Sequence, residues 1–361
     1  MMQESREIKL EDLGYSSFFE NSRNSSSSRN LSPARIIAEH KESYILKNER
    51  SDFSAKVTGK MMFSATTRED YPAVGDWVLV NLINVGQAVI HEILPRKTVL
   101  ARKSAGKSDS QIIAANIDTA FVIQSPDRDY NLNRFERYFS IATTEGITPK
   151  LVLNKTDLLS ETELEIIMSE LHERFKDIPI YATSTIAGSG IADLKTSIRN
   201  GTTYCFLGSS GVGKSSIINI LIGKDMIKTG EISFRTNRGK HVTTHRELFI
   251  LETGGLLIDN PGMREVGLVD SEQGINTIFS EIDELSTNCK FLDCAHIHEP
   301  GCAILQAIES GDFDEEKYNN YIKLSKENEY NTMSKFVKRE KDRQFGKFIK
   351  NAKKQDEKYN R

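Results

Sequence analysis

Apolar and polar positions alternate in short runs between residues 34 and 112: ARIIAEH, SYILKN, SAKVTGKMM, GDWVLVNL and GQAVIHEIL, with turn-forming residues between them. A period of two turns one side of each run toward a core, as strands do. Five strands in so short a span predict a small β-barrel of the OB type over 34–112. The curved face of such a barrel often takes RNA or DNA. From about 113 the rhythm changes. IDTAFVI, TPKLVLNK, IPIYAT and TYCFLG read as strands; NLNRFERYFSIATTEG, SETELEIIMSELHERF and IADLKTSIR between them read as helices. LFILE and GGLLID supply further strands. This alternation predicts an α/β domain over 113–270, with a mainly parallel sheet and helices on both faces. Beyond 271 the chain reads as helical and polar, apart from a cluster of cysteines.

The first 33 residues carry no such pattern. ENSRNSSSSRN, residues 20–30, is polar and of low complexity. It is expected to be a flexible linker, because it has little apolar surface to bury. LEDLGYSSFFE before it can form a short helix. The N-terminus lacks the apolar stretch of a secretory signal, and no apolar run approaches the roughly 20 residues of a membrane helix. A cytoplasmic protein with no membrane partner is expected.

Net charge over the 361 residues is −3, so the chain as a whole is not a basic nucleic-acid binder. The charge is uneven. Residues 331–361 hold eleven Lys and Arg against four Asp and Glu, and RKTVLARKSAGK at 96–107 holds five basic residues and no acidic one. Such patches suit phosphate backbones, although solvated surfaces carry them too. Of the four cysteines, Cys205 stands alone in an apolar run. Cys289, Cys294 and Cys302 crowd together near His296 and His298. In a cytosolic protein that grouping points to metal rather than disulfides. Three thiolates and one imidazole make a closed tetrahedral zinc site of the structural kind. Either histidine fits the spacing.

GSSGVGKSS, residues 208–216, follows the strand TYCFLG and opens the helix KSSIINILIG. Strand, glycine-rich loop and helix in that order form a phosphate-binding loop. The backbone N–H groups of Gly208, Ser209, Ser210, Gly211, Val212 and Gly213, with Ser216 behind them, are expected to turn toward phosphate oxygens at a helix N-terminus. Lys214 is expected on the β- and γ-phosphates and Ser215 on Mg²⁺. NKTD at 154–157 ends the strand PKLVLN, at the sheet edge where α/β folds bind ligands. The Asp157 carboxylate can accept both N1–H and N2–H₂ of guanine, a donor pair adenine lacks. Asn154 is expected to brace the loop and touch the base, and the Lys155 stem to cover the base plane. A backbone N–H of Ser184 or Thr185 is the candidate for guanine O6. DNPG, 259–262, follows the strand GGLLI. It offers Asp259 to Mg²⁺ through a water and the Gly262 N–H to the γ-phosphate. Met263 stands where many GTPases have a water-orienting Gln, so intrinsic hydrolysis is expected to be slow. In RGKHVTTHRE, Thr243 or Thr244 can complete the Mg²⁺ shell, and His241 or His245 can approach the attacking water, with His241 the catalytic candidate.

In most GTPases the phosphate loop precedes NKxD; here it follows. With that order, GDWV, LPRKTVLAR, AANID, NKTD, GSSGVGKSS, GKHVTTHRE, DNPGMRE and CKFLDCAHIHEPGC together resemble one family, the circularly permuted ribosome small-subunit-dependent GTPases, from about residue 34 onward. DNPG departs from the DTPG or DSPG more usual there. The resemblance implies a barrel, a permuted GTPase domain and a zinc-binding C-terminal domain over 271–361. It favours His296 as the fourth zinc ligand. It also implies a monomeric enzyme that uses GTP and Mg²⁺, holds one structural zinc, and binds the small ribosomal subunit and its rRNA late in assembly. The alternative is a GTP-dependent RNA-binding module with incidental turnover.

Overall fold

The computed structural model describes residues 7–40, 43–103, 110–127, 130–223, 246–259 and 271–333, with 337, 340 and 343 besides. The chain divides into two compact units, Met1–Gly267 and Leu268–Arg361. Among the described residues, no helix is long and apolar enough to cross a membrane.

In the first unit, β1 (Ser32–Glu39), β2 (Tyr44–Lys47), β3 (Asp52–Val57), β4 (Trp77–Asn84) and β5 (Gln87–Ile93) pair in the order β1-β2-β3-β5-β4. The pairing of β4 with β1, Ser32↔Val80 to Arg35↔Trp77, closes them into the expected five-stranded barrel. One expected strand is shorter than the pattern suggested. SAKVTGKMM is strand only to Val57; Gly59–Ser64 turns into a short helix, α2, which Thr58 caps by accepting from Met61 N at 3.2 Å. After the barrel, β6 (Val99–Lys103) and β7 (Ser110–Ala115) form a separate two-stranded sheet. β7 runs through residue 112, where the barrel was expected to end.

The N-terminal segment corrects the expectation of flexibility. A 3-10 turn over Glu11–Leu13 and helix α1, Ser17–Ser25, extend into the serine-rich stretch. Leu13, Tyr15 and Phe19 are buried against Trp77, Leu79 and Leu94. The Tyr15 and Trp77 rings meet edge to face at 4.7 Å. Ser26 donates to Glu92 Oε2 at 2.6 Å. Composition counted the serines; three apolar residues upstream anchor the segment. Arg35, fully buried, ties these parts together. It donates to Gly75 O at 3.2 Å, Leu13 O at 2.5 Å and Asn116 O at 3.1 Å.

The α/β part contains β8 (Thr119–Gln124), α3 (Leu132–Thr144), β9 (Thr148–Asn154), α4 (Glu161–Arg174), β10 (Ile180–Thr183), α5 (Ile191–Thr196), β11 (Thr203–Leu207), α6 (Lys214–Ile222), β12 (Arg246–Ile250) and β13 (Leu256–Asp259). The strand order is β10-β9-β8-β11-β13-β12, parallel except for β12. Every residue of β8 and β11 is buried, as expected for central parallel strands. Phe121, Ile123, Tyr204, Phe206 and Leu257 pack with Leu194 of α5 and Ile217, Ile218 and Leu221 of α6. α3 lies on β8 and β9, and its Phe135 and Phe139 meet Phe175 at the end of α4, with ring centroids 5.9 and 5.2 Å away. β12 pairs on its other side with β1 of the barrel, through Ala38↔Glu247 and Glu39↔Arg246. One continuous sheet therefore runs from the α/β part into the barrel.

The second unit holds α7 (Glu272–Ile278), α8 (Ser280–Ser286), α9 (Ala303–Ser310) and α10 (Glu315–Thr332). Its buried apolar residues include Ile275, Phe279, Ile282, Ile304 and Leu324.

Candidate functional site

The nucleotide motifs meet at the carboxyl ends of adjacent parallel strands. β11 runs into the 208–213 loop, β9 into NKTD, β10 into Ser184, and β13 ends on Asp259. The loop is shaped by close backbone approaches that only glycine allows. A Cβ on Gly208, at φ 150°, would stand 2.3 Å from the Ile123 carbonyl oxygen. One on Gly213, at φ 97°, would stand 2.1 Å from Asn154 Nδ2. Asn154 is buried, donates from Nδ2 to Val212 O at 2.9 Å, and accepts from Thr183 Oγ1 at 3.1 Å. It therefore joins the NKTD loop to the 208–213 loop. Lys214 Nζ donates to Gly208 O at 2.7 Å and to Ser209 O, which places the ammonium over the mouth of the loop.

Asp157 is exposed, and one of its oxygens, Oδ1, accepts from the Ser184 hydroxyl. That hydroxyl in turn accepts from the N–H groups of Ile186 and Ala187, at 3.2 and 3.0 Å. The Ser184 hydroxyl thus fixes the orientation of the carboxylate. Lys155 has φ 64°, a left-handed conformation, and its ammonium lies 3.3 Å from Asp127 Oδ2. Ser125 donates to the same oxygen at 2.8 Å.

In the second unit the ligand atoms of Cys289, Cys294, His296 and Cys302 all lie within 4.8 Å of one another. Cys289 Sγ and Cys302 Sγ are 4.0 Å apart, and His296 Nδ1 is 3.6 and 3.5 Å from them. A tetrahedral zinc with Zn–S and Zn–N bonds of about 2.3 and 2.0 Å demands edges of about 3.8 Å between sulfurs and about 3.6 Å from sulfur to nitrogen. Those three distances are near these edges, and the four residues form a donor set that could hold one zinc ion. His296, at φ 60°, is held through its carbonyl by the Tyr318 hydroxyl at 2.5 Å. Glu299 accepts from the N–H groups of Ala295, Ile297 and His298, at 3.2, 3.0 and 3.1 Å. Cys205 takes no part in this cluster; burial in β11 pushes its thiol up to about 12.

Residues 93–269 match the family profile described as RsgA GTPase. A small ribosomal subunit biogenesis GTPase RsgA from Opitutus terrae is 40% identical over 332 residues, 89% of this chain and 90% of that one. RsgA 1 from Oceanobacillus iheyensis is 40% identical over 81% of this chain and 84% of that one. The chain belongs to the RsgA GTPase family. The crystal structure of YjeQ from Thermotoga maritima matches the fold with a TM-score of 0.62 at 26% identity, over 82% of this chain and 98% of that one. YloQ, described as a circularly permuted GTPase, matches with a TM-score of 0.62 at 22% identity, over 85% of this chain and 98% of that one.

As a member of the RsgA GTPase family, the chain pairs a guanine nucleotide with Mg²⁺, and its Cys289, Cys294, His296 and Cys302 set is suited to one zinc ion. Of the nucleotide residues expected from sequence, Asn154, Lys155, Asp157, Ser184, Thr185, 208–216 and Asp259 all fall at this one sheet edge. Gly262, His241, Thr243, Thr244, His245 and Met263 lie outside the described residues. The Ser184 N–H donates to Ser189 O at 3.0 Å, and its hydroxyl donates to Asp157 Oδ1. Sequence reasoning missed Thr183 and Asp127, which hold Asn154 and Lys155. Each lies next to a strand end at the motif edge, which is the one signal that would have drawn attention to them.

Proposed function

We propose that this chain hydrolyses GTP to GDP and phosphate while bound to the small ribosomal subunit, late in that subunit's assembly. The observation that carries the reading is the Asn154 bridge, which links a guanine-reading loop to a phosphate loop within one site. Asp157 takes the guanine N1–H and N2–H₂, the Thr185 N–H takes O6, and the Lys155 stem covers the ring. Backbone N–H groups of 208–213 and Lys214 hold the β- and γ-phosphates. Ser215 and Thr243 or Thr244 would hold Mg²⁺, with Asp259 acting on it through a water, and the ion would offset charge developing on the phosphates. Water attacks the γ-phosphorus as its bond to the β–γ bridging oxygen breaks, with His241 beside the water and the Gly262 N–H on a γ-oxygen. Relatives named as small ribosomal subunit biogenesis GTPases support the choice of partner. The barrel, the zinc segment and the basic tail beyond 331 are the surfaces for rRNA, the zinc serves structure alone, and the protein acts as a cytoplasmic monomer.

Turnover measured with and without purified small subunits tests this reading. A rise of about 10³–10⁵ is the range that partner-supplied stabilisation reaches in related GTPases. His241→Ala should lose most of the rise and retain GTP binding. Turnover that ignores the subunit, together with tighter subunit binding in the GTP state, identifies a nucleotide-gated docking module instead, a reading that Met263 favours.

A further inference from the structure

Arg134 and Tyr138 stand four residues apart on α3, so their side chains leave the same face of the helix. Arg134 reaches the phosphate loop: its Nη1 donates to the Ser209 hydroxyl at 3.0 Å. Tyr138, one turn on, is buried. Ser209 is the second residue of the loop, and its carbonyl accepts from Lys214 Nζ. One residue therefore joins α3, through its side chain, to the phosphate-binding lysine, through its backbone.

The helix that supplies Arg134 is itself fixed. Glu136, fully buried, accepts from Arg174 Nε of α4 at 2.8 Å, and Arg174 Nη2 donates to Asn133 Oδ1 at 3.1 Å. These bonds bracket position 134, so the guanidinium starts from a rigid base. The loop it holds has few means of its own to stay in one shape. Ser210 and Gly211 are exposed, and Gly211 and Gly213 have φ of 86° and 97°. Glycine-rich backbone of this kind loses more conformational entropy on ordering than any other. Asn154 fixes the far end of the loop at Val212. Ser209 is the matching anchor at the near end.

We propose that Arg134 is a positioning residue for the phosphate subsite. Through Ser209 it holds the near end of the loop, and with it the lysine-bearing geometry that receives the β- and γ-phosphates of the nucleotide. Arg134 acts through the loop and leaves the base subsite alone. The inference rests on the proposed placing of the phosphates in the 208–216 loop.

Affinities for GDP and a non-hydrolysable GTP analogue, measured by fluorescence titration on the full chain, test it. Arg134→Ala and Ser209→Ala should each weaken both nucleotides roughly tenfold, the scale of one hydrogen bond to a charged group. The double variant should be no weaker than the weaker single, because both remove one link. Arg134→Lys should recover part of the loss. Competition by guanosine, which lacks phosphate, should be unchanged, and so should the melting temperature within a few degrees. Parent-like nucleotide affinity in Arg134→Ala overturns the proposal. Additive losses in the double variant overturn it as well, and so does an equal loss of guanosine binding. Lys214→Ala serves as the separate control: if it binds GDP as the parent does, the placing of the phosphates itself is wrong, whatever Arg134 does.

Discussion

The nucleotide site and the Cys289–Cys294–His296–Cys302 cluster are built on opposite principles. The first stands at the edge of a sheet whose two central strands are entirely buried. Its loops are held by side-chain hydrogen bonds: Asn154 to the Val212 carbonyl, Lys214 to the Gly208 carbonyl, Thr183 to the Asn154 side chain and Ser184 to the Asp157 side chain. The second spans a knuckle whose own apolar residues face solvent. Leu292 is fully exposed, and Phe291 and Ile297 are close to half exposed. No apolar side chain of residues 290–300 is buried; the knuckle is held by polar links, among them Glu299, Tyr318 and the Lys290 N–H on Gly301 O at 3.0 Å, around the four ligand atoms. The first site draws its geometry from a buried sheet, and the second gathers four ligand atoms that could hold one zinc ion. Damage should therefore spread differently from each.

The largest expected effect follows from removing zinc. Structural zinc supplies about 10–16 kcal/mol of apparent folding free energy in small peptides. Chelation, or Cys294→Ala, should open residues 271–333 to limited proteolysis and leave GDP affinity within about twofold of the parent. Coincident loss of nucleotide binding would show that the two sites share one folding unit. Next comes Lys214→Ala. Losing the ammonium should weaken GTP and GDP by about a hundredfold, the upper range for a bond to a charged group, with zinc content still one atom per chain by metal analysis. Asp157→Asn should follow. It removes the acceptor pair for guanine, so GTP should weaken by at least about tenfold while xanthosine nucleotides bind more tightly than to the parent. An unchanged preference would take base reading away from NKTD. Smallest is Ser184→Ala. It frees Asp157 without removing it, and a loss of about threefold to tenfold in GTP affinity is expected, with phosphate-subsite binding of pyrophosphate unaltered in competition titrations.

The architecture was largely legible in the sequence because its elements are strongly patterned. TAFVIQ and TYCFL are fully buried strands, and period and length alone separate them from the helices between. The motifs stood out because phosphate and guanine demand particular chemistry at fixed spacing, and the fold brings their described loops to one sheet edge. What stayed hidden was of two kinds. Contacts between distant segments leave no local mark: nothing around Arg134 says that its helix face looks at Ser209, 75 residues later. The N-terminal segment misled for another reason. Its polar fraction suggested a free linker, yet Leu13, Tyr15 and Phe19 suffice to seat it on Trp77. Composition averages over a segment, whereas docking depends on a few large side chains at the right positions. The zinc ligands fall between these cases. Spacing gave three cysteines and two candidate histidines, and geometry chose His296 over His298.

The pairing of β12 with β1 has a consequence for how the chain can be divided. A strand at the edge of a sheet carries a row of unspent backbone donors and acceptors and invites another chain to pair with it. In this molecule the seat beside β12 is filled by β1, and Arg246 clamps it with a 2.7 Å ion pair to Glu39. The barrel is thus the cover that keeps the GTPase sheet from recruiting strangers. A fragment begun at residue 113 would retain the nucleotide motifs and lose that cover. Its natural failure is self-association along β12 in place of unfolding, and it would show as rising light scatter from a fragment that still binds GDP.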